Sequence, residues 1–297
     1  MKLLDRIIRW SRANGPRSTA NSCLKCHLLS SVDCGPLTLK IFLFQAMKTL
    51  YVLLFSFLYF GAQAQGNLPQ QDLPNVVLIF MDDLGYGDLA SYGGYPQQTP
   101  HLNKLAASGM RFTNFYAAQA VCSASRAALL TGCYPNRLSI SGALMPWSTI
   151  ALNPNEETLA TMAKKKGYQT GMIGKWHLGY PPHFSPLRSG YEEFFGPMSG
   201  GVDYFTHAGT NGQHDLYSGD EEKKEEGYLT DLLSHRAVDY VQRMAPKSAQ
   251  GKPFFLSLHY TAPHWPWETR EDHALADDIK SNLFHLEGGN IHTYQRM

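Results

Sequence analysis

The sequence has few cysteines and no excess of charge of either sign. It contains five cysteines in 297 residues, and its formal net charge at pH 7 is +1. Because there is no sustained basic stripe, nucleic-acid binding is not expected. No apolar run reaches the length of about 20 residues that a membrane-spanning helix needs, so no stable membrane span is expected either. The apolar content of 43% and the charged content of 17% are typical of a globular protein.

An export signal is predicted well inside the chain, at residues 47–64. Lys48 precedes an apolar run that ends at Phe60, and Ala62 and Ala64 follow it in an A-x-A pattern. One positive charge, a short apolar segment and such a cleavage site are typical of a secretory signal peptide, the alternative being a buried core helix. The pattern favours a protein exported to the periplasm or secreted.

Residues 1–46 lie ahead of this signal, and we expect them to be a spurious or disordered extension, with Met47 as the natural start. Residues 23–27 have the C-x-x-C-H spacing of c-type haem attachment. Because they precede the signal, haem is not expected in the exported domain. Only Cys122 and Cys133 then remain, which excludes a disulfide framework.

Strands and helices alternate along residues 74–297. The apolar, β-branched run at 76–80 predicts a strand that is buried on both faces of a parallel sheet. Further strands are predicted at 111–116, 168–173 and 254–258, and helices at 99–107, 155–166 and 230–244. This alternation predicts an α/β fold with a largely parallel sheet flanked by helices.

One stretch, residues 120–132, combines a cysteine with an arginine four residues later. It reads A-V-C-S-A-S-R-A-A-L-L-T-G, a short helical pattern closed by glycine. If a helix begins at Cys122, the spacing places Cys122 and Arg126 on one face near the helix N-terminus. Free backbone N–H groups there favour an anion, and Arg126 adds a fork of donors. The stretch predicts a nucleophile within an anion site, whereas a lone cysteine is more often a small buried apolar residue.

Two adjacent carboxylates, Asp82 and Asp83, directly follow the first predicted strand. Ligands of open α/β sheets bind at the carboxyl ends of the strands. Adjacent carboxylates repel each other unless a cation or hydrogen-bond donors lie between them, and hard oxygen ligands select Ca²⁺ or Mg²⁺. The alternative is turn chemistry, because aspartate is common where strands end.

Two further polar segments follow predicted strands. In G-K-W-H-L-G, at residues 174–179, Lys175 and His177 lie on the same side if the segment is extended. Residues 253–267 run from a strand into a loop rich in proline and tryptophan that contains His264. Each of these side chains taken alone is more often a surface or packing residue.

Four other residues near these segments are assigned lesser roles. His259 lies within the predicted strand and is interpreted as structural. Trp265 and Trp267 are favoured as packing residues, with stacking on a sugar ring as the alternative. Ser199 is a weaker candidate for the wall of the pocket.

Taken together, these motifs resemble those of the sulfatase family, whose fold is that of the alkaline-phosphatase superfamily. The stretch around Cys122 resembles the family signature, in which a maturation enzyme oxidises the cysteine to formylglycine, whose hydrate attacks sulfate esters. The resemblance implies that Asp82, Asp83 and the modified Cys122 hold a divalent cation, Ca²⁺ in preference to Mg²⁺. The implied substrate is a sulfated carbohydrate or an aryl sulfate.

The same resemblance implies roles for the remaining candidates. Arg126 and Lys175 would balance the charge on the sulfuryl oxygens. His177 would help to deprotonate the second hydroxyl of the hydrated aldehyde, and His264 would protonate the departing alcohol.

The sequence departs from the family pattern at two points. Ala124 stands where the family usually has proline, which makes recognition by the maturation enzyme less certain. No Asp-Asn-Gly motif or further active-site lysine follows His264, so the resemblance predicts an incomplete catalytic domain, residues 74–297, with little or no turnover. The alternatives are an inactive fragment or a pseudoenzyme that binds sulfated glycans, and a phosphoester or phosphonate hydrolase of the same superfamily, which Cys122 disfavours.

Overall fold

A computed structural model describes residues 47–51, 73–94, 99–274, 276 and 290–297 of the chain. The chain divides into two compact units, residues 1–70 and 71–297. In the first unit only residues 47–51 are described, and they are helical. The predicted extension at 1–46 and most of the predicted signal peptide lie outside the described residues. Within the described residues, no helix combines the length and apolarity that crossing a bilayer requires.

The second unit contains a six-stranded sheet and several α-helices. The strands are β1 (Val76–Phe80), β2 (Gln169–Gly174), β3 (Glu193–Gly196), β4 (Tyr217–Ser218), β5 (Glu221–Glu222) and β6 (Phe254–His259). The helices are α1 (Pro100–Ser108), α2 (Cys122–Thr131), α3 (Leu159–Lys165), α4 (Leu229–Ser248) and α5 (Ile291–Arg296).

The sheet has the strand order β1-β6-β2-β3-β4-β5. The first four strands are parallel, whereas β4 and β5 form an antiparallel extension at one edge. The predicted α/β fold with a largely parallel sheet is therefore confirmed. Because β6 lies between β1 and β2, the segments that follow these three strands meet at one edge of the sheet.

Apolar side chains fill both faces of the sheet. On one face, Met172 of β2 and Phe255 of β6 belong to a buried cluster that includes α2 residues. On the other face, Leu256 of β6 belongs to a cluster with apolar residues of α4. The approach of α4 is close at Gly171, where an added Cβ would lie 2.4 Å from the ring of Tyr240. The sheet is therefore a central layer between helices.

The prediction that β1 is buried on both faces is wrong. Val76, Val77 and Ile79 are 39%, 45% and 48% exposed. These side chains are exposed because β1 is the terminal strand of the described sheet and pairs with β6 alone.

Two other predicted elements also differ from the structure. Residues 111–116 form no strand, because no described strand pairs with them. The helix predicted from residue 155 begins instead at Leu159, where the Thr158 hydroxyl accepts the N–H of Thr161 at 3.1 Å. The residues before it form a turn, in which the Asn153 side chain accepts the N–H of Asn155 at 3.0 Å.

Candidate active site

The carboxyl ends of three parallel strands meet at one edge of the sheet. Phe80 at the end of β1 and Gly174 at the end of β2 both pair with His259, the last residue of β6. Beyond the strands, the N–H of Lys175 donates to the carbonyl oxygen of His259 at 2.9 Å. This register brings the loop that carries Asp82 next to Lys175.

The predicted helix at Cys122 is present. Cys122 is the first residue of α2, and Gly132 ends the helix at a φ of 68°, with its N–H donating to the Ala128 carbonyl at 2.8 Å. Cys122 is half-buried, whereas Arg126, one turn later, is fully buried. The side chain of Arg126 reaches the strand ends, where Nη1 donates to the carbonyl oxygen of Lys175 at 2.8 Å.

Arg126, Asp82 and Lys175 form a buried charge cluster. Nη2 of Arg126 lies 3.3 Å from Oδ2 of Asp82, and Nζ of Lys175 contacts the same oxygen. Nη1 of Arg126 also lies 3.3 Å from Nδ1 of His259, and the guanidinium lies over the ring of Phe80. Nε of Arg126 has no hydrogen-bond partner among the described residues.

The members of the charge cluster shift one another's pKa values. Burial opposes the charge of Asp82, but the positive charges of Arg126 and Lys175 outweigh burial and hold the pKa of Asp82 well below its usual range. Burial lowers the pKa of Lys175, and Asp82 opposes that shift. With Asp82 ionised and both bases protonated, the cluster carries a net charge of +1.

His177 is held in one orientation at the edge of this cluster. It has a φ of 56°, and its Nε2 lies 2.7 Å from the carbonyl oxygen of Leu144. Because a carbonyl only accepts, Nε2 carries the proton, and the buried Nδ1 has no hydrogen-bond partner among the described residues. Burial and then the charges of Lys175 and Arg126 lower the pKa of His177 well below its usual range. The imidazole is therefore neutral, with Nδ1 as an acceptor.

His264 lies beside Asp83. Nε2 of His264 is 3.7 Å from Oδ2 of Asp83, and Nδ1 donates to the carbonyl oxygen of Trp265. Burial and Lys175 lower the pKa of His264, while Asp82 and Asp83 oppose the shift. Because the proton on Nδ1 is used in this hydrogen bond, Nε2 carries a proton only when the ring is an imidazolium. Only that form can donate a proton from Nε2.

A cavity of about 180 Å³ adjoins these groups. Its walls are formed by Cys122, Ala143, Leu144, Met145, His177, Gly200, Gly201, Thr210, His264 and Trp265. Of the predicted site residues, Cys122, His177 and His264 line this cavity, while Asp82, Arg126 and Lys175 lie buried in the charge cluster. The structure thus brings together all of the predicted residues except Asp83, whose side chain is 57% exposed and contacts the site through His264.

The residues with lesser predicted roles are also placed. His259 is fully buried against Arg126, as its structural interpretation predicts. Nε1 of Trp267 donates to the carbonyl oxygen of Pro263 at 3.1 Å, which is a packing role, whereas Trp265 lines the cavity. The Ser199 hydroxyl donates to the carbonyl oxygen of Gly201 at 2.9 Å.

Several wall residues were missed by the sequence interpretation. Leu144 and Met145 lie in a stretch without a motif, and nothing local marks them. Gly200 carries a signal in retrospect, because it stands in an S-G-G string. A Cβ added there would lie 2.2 Å from Cε1 of His177. Glycine is needed at this position for the backbone to approach the imidazole.

A cation site is only partly formed by the described residues. No group of three or more His, Cys, Asp or Glu side chains among them is arranged to hold a metal ion. Asp82 and Asp83 supply the hard oxygen donors that Ca²⁺ prefers. However, Asp82 already pairs with two cationic side chains. The two carboxylates fit a divalent ion in chemistry but do not complete its coordination.

Comparison with known proteins identifies relatives of this chain. A family model described as Sulfatase matches residues 74–294. Human N-acetylgalactosamine-6-sulfatase is 37% identical over 212 residues, which are 65% of this chain and 40% of that enzyme. Human arylsulfatase A is 51% identical over 126 residues, covering 41% of this chain and 25% of that enzyme. The chain therefore spans less than half of the length of these curated relatives.

Solved structures give a similar result. The crystal structure of Ps i-CgsB matches with a TM-score of 0.64 and 32% identity, over 75% of this chain and 51% of that one. The structure of BT4656 in complex with its substrate D-glucosamine-2-N,6-O-disulfate matches with a TM-score of 0.54 and 28% identity, over 66% of this chain and 35% of that one.

Proposed function

The chain belongs to the sulfatase family, and we therefore propose that it hydrolyses sulfate esters at the cavity beside Cys122. The observation that carries this proposal is the position of Cys122 in the first turn of α2, in a cavity wall that it shares with His177 and His264. The buried charge cluster of Arg126, Asp82 and Lys175 lies next to it.

The nucleophile requires a modified Cys122. Oxidation of Cys122 to formylglycine by a maturation enzyme would supply a hydrated aldehyde, with one hydroxyl to attack sulfur and a second to expel sulfate. The half-buried position of Cys122 at a helix N-terminus leaves the side chain at the cavity, where backbone N–H groups favour an anion. Serine would leave a sulfate ester with no second hydroxyl to eliminate it.

The charge cluster matches a sulfate monoester. With both side chains protonated, Arg126 and Lys175 carry two positive charges and Asp82 neutralises one of them, so the remaining positive charge balances the single negative charge of the ester. Nε of Arg126 has no partner among the described residues and is a donor for a sulfuryl oxygen. Preorganised donors of this kind stabilise charge that develops in the transition state.

Two histidines provide proton transfer. His177 offers Nδ1 as an acceptor, because its Nε2 proton is committed to the carbonyl oxygen of Leu144. His264 in its imidazolium form would donate the Nε2 proton to the departing alcohol oxygen; Asp82 and Asp83, the latter at 3.7 Å, favour that form, whereas burial and Lys175 oppose it.

Asp82 and Asp83, with the modified Cys122, would hold a divalent cation, Ca²⁺ in preference to Mg²⁺. When bound, the cation would supply positive charge beside the reacting oxygens. Since Ca²⁺ takes about six to eight oxygen ligands, water, substrate or residues other than those described would complete its coordination.

The substrate proposed is a sulfated carbohydrate, with an aryl sulfate as the simpler alternative. Relatives support this class, because one is named N-acetylgalactosamine-6-sulfatase and solved neighbours are complexes with k-i-k-neocarrahexaose and with D-glucosamine-2-N,6-O-disulfate. Trp265 in the cavity wall offers an aromatic face to a sugar ring. The segment at 47–64 is proposed to export the protein.

The test begins with the modification. The full chain is produced with a maturation enzyme, and the peptides that contain Cys122 and Cys133 are compared by mass spectrometry. The proposal expects an aldehyde at Cys122, with Cys133 as the unmodified internal control. A thiol at Cys122 in every molecule would refute the formylglycine mechanism.

Turnover is then measured on an aryl sulfate and on the aryl phosphate with the same leaving group. Sulfate hydrolysis that C122A abolishes supports the proposal. Preference for the phosphate would favour the phosphoester alternative. A modified protein that binds sulfated glycans without any turnover would instead identify an inactive or glycan-binding chain.

A further inference from the structure

A short loop at residues 197–200 packs directly on the imidazole of His177. The N–H of His177 donates to the carbonyl oxygen of Met198 at 3.0 Å, and the N–H of Trp176 donates to that of Pro197 at 2.9 Å. At the end of the loop, Gly200 approaches so closely that a Cβ there would lie 2.2 Å from Cε1 of His177. The position of this ring therefore depends on the position of the loop.

The buried carboxylate of Asp215 binds this loop through two hydrogen bonds. Oδ2 of Asp215 accepts the N–H of Ser199 at 2.8 Å, and Oδ1 accepts the N–H of Met198 at 3.2 Å. Asp215 is 4% exposed, and its own N–H donates to the carbonyl oxygen of His207 at 2.8 Å. Both carboxylate oxygens are thus committed to consecutive main-chain donors of the loop.

We propose that Asp215 is a positioning residue, whose carboxylate holds the 197–200 loop against His177 and so keeps the imidazole in place at the cavity wall. The inference rests on the proposed function of the cavity. Asp215 does not line the cavity and contacts no candidate reacting group, so it would act only through the loop.

The charge state of Asp215 is set by its surroundings. Burial raises the pKa of Asp215 to about 6, against the hydrogen bonds from Ser199 and Met198. His214, the adjacent residue, also opposes the shift, and the phenols of Tyr180 and Tyr217 face the carboxylate. As the pH falls through about 6, the carboxylate gains a proton, and the oxygen that carries it becomes a donor and a poorer acceptor, so one of the two N–H bonds is weakened.

Protonation of Asp215 should therefore weaken its hold on the 197–200 loop in mildly acid solution. His177 shares no hydrogen bond with Asp215, so any response of its imidazole to this titration must pass through the loop. A purely local role for Asp215 would leave the ring unaffected.

The first experiment needs no variant. In the full chain, the amide NMR signals of Met198 and Ser199 and the ring signals of His177 are followed as the pH is lowered. We expect the amides to titrate with a midpoint near the pKa of Asp215, about 6, and the ring signals to move with the same midpoint. Titrating amides with an unresponsive His177 ring would overturn the proposal.

The second experiment replaces the carboxylate. In D215N, an amide group would face one of the two N–H donors, so the titration should disappear and the His177 ring signals should shift at all pH values. In the modified chain, kcat should fall about 10- to 100-fold, because the group it positions is displaced, while KM changes little. An unchanged kcat and unchanged ring signals in folded D215N would overturn the proposal.

A matched control separates this effect from lost stability. T158V removes the main-chain contacts of another buried side chain, because the Thr158 hydroxyl donates to the carbonyl oxygen of Ser189 at 2.7 Å and accepts the N–H of Thr161 at 3.1 Å. It should lower the thermal midpoint while kcat and the His177 signals stay unchanged. If the modified wild type fails to hydrolyse any sulfate ester, the proposed function fails, whereas the coupling of Asp215 to His177 is still decided by the NMR titration.

Discussion

Arg126 donates a buried hydrogen bond of 2.8 Å to the main-chain carbonyl oxygen of Lys175. The bond joins α2, which begins at Cys122, to the segment that follows β2. Because both side chains are fully buried, this contact fixes α2, and with it Cys122, relative to Lys175. Arg126 therefore stabilises the fold as well as supplying charge.

Replacing Arg126 by lysine should destabilise the protein. R126K keeps the charge but loses the fork of donors, which leaves the carbonyl oxygen of Lys175 without its buried partner. We expect a loss of about 1–3 kcal/mol in the free energy of unfolding, measured by urea denaturation. The matched control is R243K at an exposed ion pair with Glu193, where about 0–1 kcal/mol is expected. Equal losses in the two variants would contradict the argument.

Adding one methyl group at Gly200 should disturb the site. In G200A, the new Cβ meets Cε1 of His177 at 2.2 Å, so either the ring or the loop must move. We expect kcat for an aryl sulfate to fall by about 10- to 100-fold. G142A is the control, because a Cβ at Gly142 meets nothing within 4 Å. Retention of full activity by G200A would show that the position of His177 does not limit the reaction.

The contribution of Glu268 to the stability of the fold should fall as the pH rises from about 5 to about 8. Glu268 is fully buried, and burial followed by the charge of Asp203 raises its pKa from 4.5 to about 8, although the N–H of Tyr204 opposes the shift. The folded state therefore holds a proton that the unfolded state has released in this range. The loss is on the order of 1.4 kcal/mol per pH unit at most.

The measurement is urea unfolding of the wild type and E268Q at several pH values. The stability of E268Q relative to the wild type should increase with pH and exceed it at the alkaline end, whereas E226Q at an exposed position should follow the wild type. A stability difference between E268Q and the wild type that stays constant over this range would contradict the assignment.

His264 should matter most for poor leaving groups. H264A removes the group that is proposed to protonate the departing oxygen, so an alkyl sulfate should lose about 10²- to 10⁴-fold in kcat. A nitrophenyl sulfate, whose leaving group needs little protonation, should lose much less. H101A at an exposed position of α1 is the control. An equal loss on both substrates would rule out the acid role.

The parts of the fold that depend on local pattern could be predicted from the sequence. The strand at 76–80 has the predicted bounds, and α2 begins at Cys122 and ends at Gly132, because helix ends depend on residues next to each other in the chain. The joint role of Asp82, Lys175 and His264 was implied by the family resemblance, and the parallel strands that precede them place their loops at the same end of the sheet.

What could not be predicted depends on neighbours distant in sequence. The exposure of Val77 follows from the terminal position of β1, which no local pattern specifies. Asp215 is an unremarkable acidic residue in the sequence, and its importance arises from two main-chain N–H groups 16 and 17 residues away. Almost any residue type can supply a main-chain N–H group, so such contacts cannot be recognised from the sequence.

The terminal position of β1 in the described sheet has a consequence for handling the protein. A terminal strand that presents exposed valine and isoleucine side chains is a template on which a second molecule can add a strand. In concentrated solution the chain should therefore self-associate along this strand. Its colloidal lifetime should shorten as the protein concentration rises.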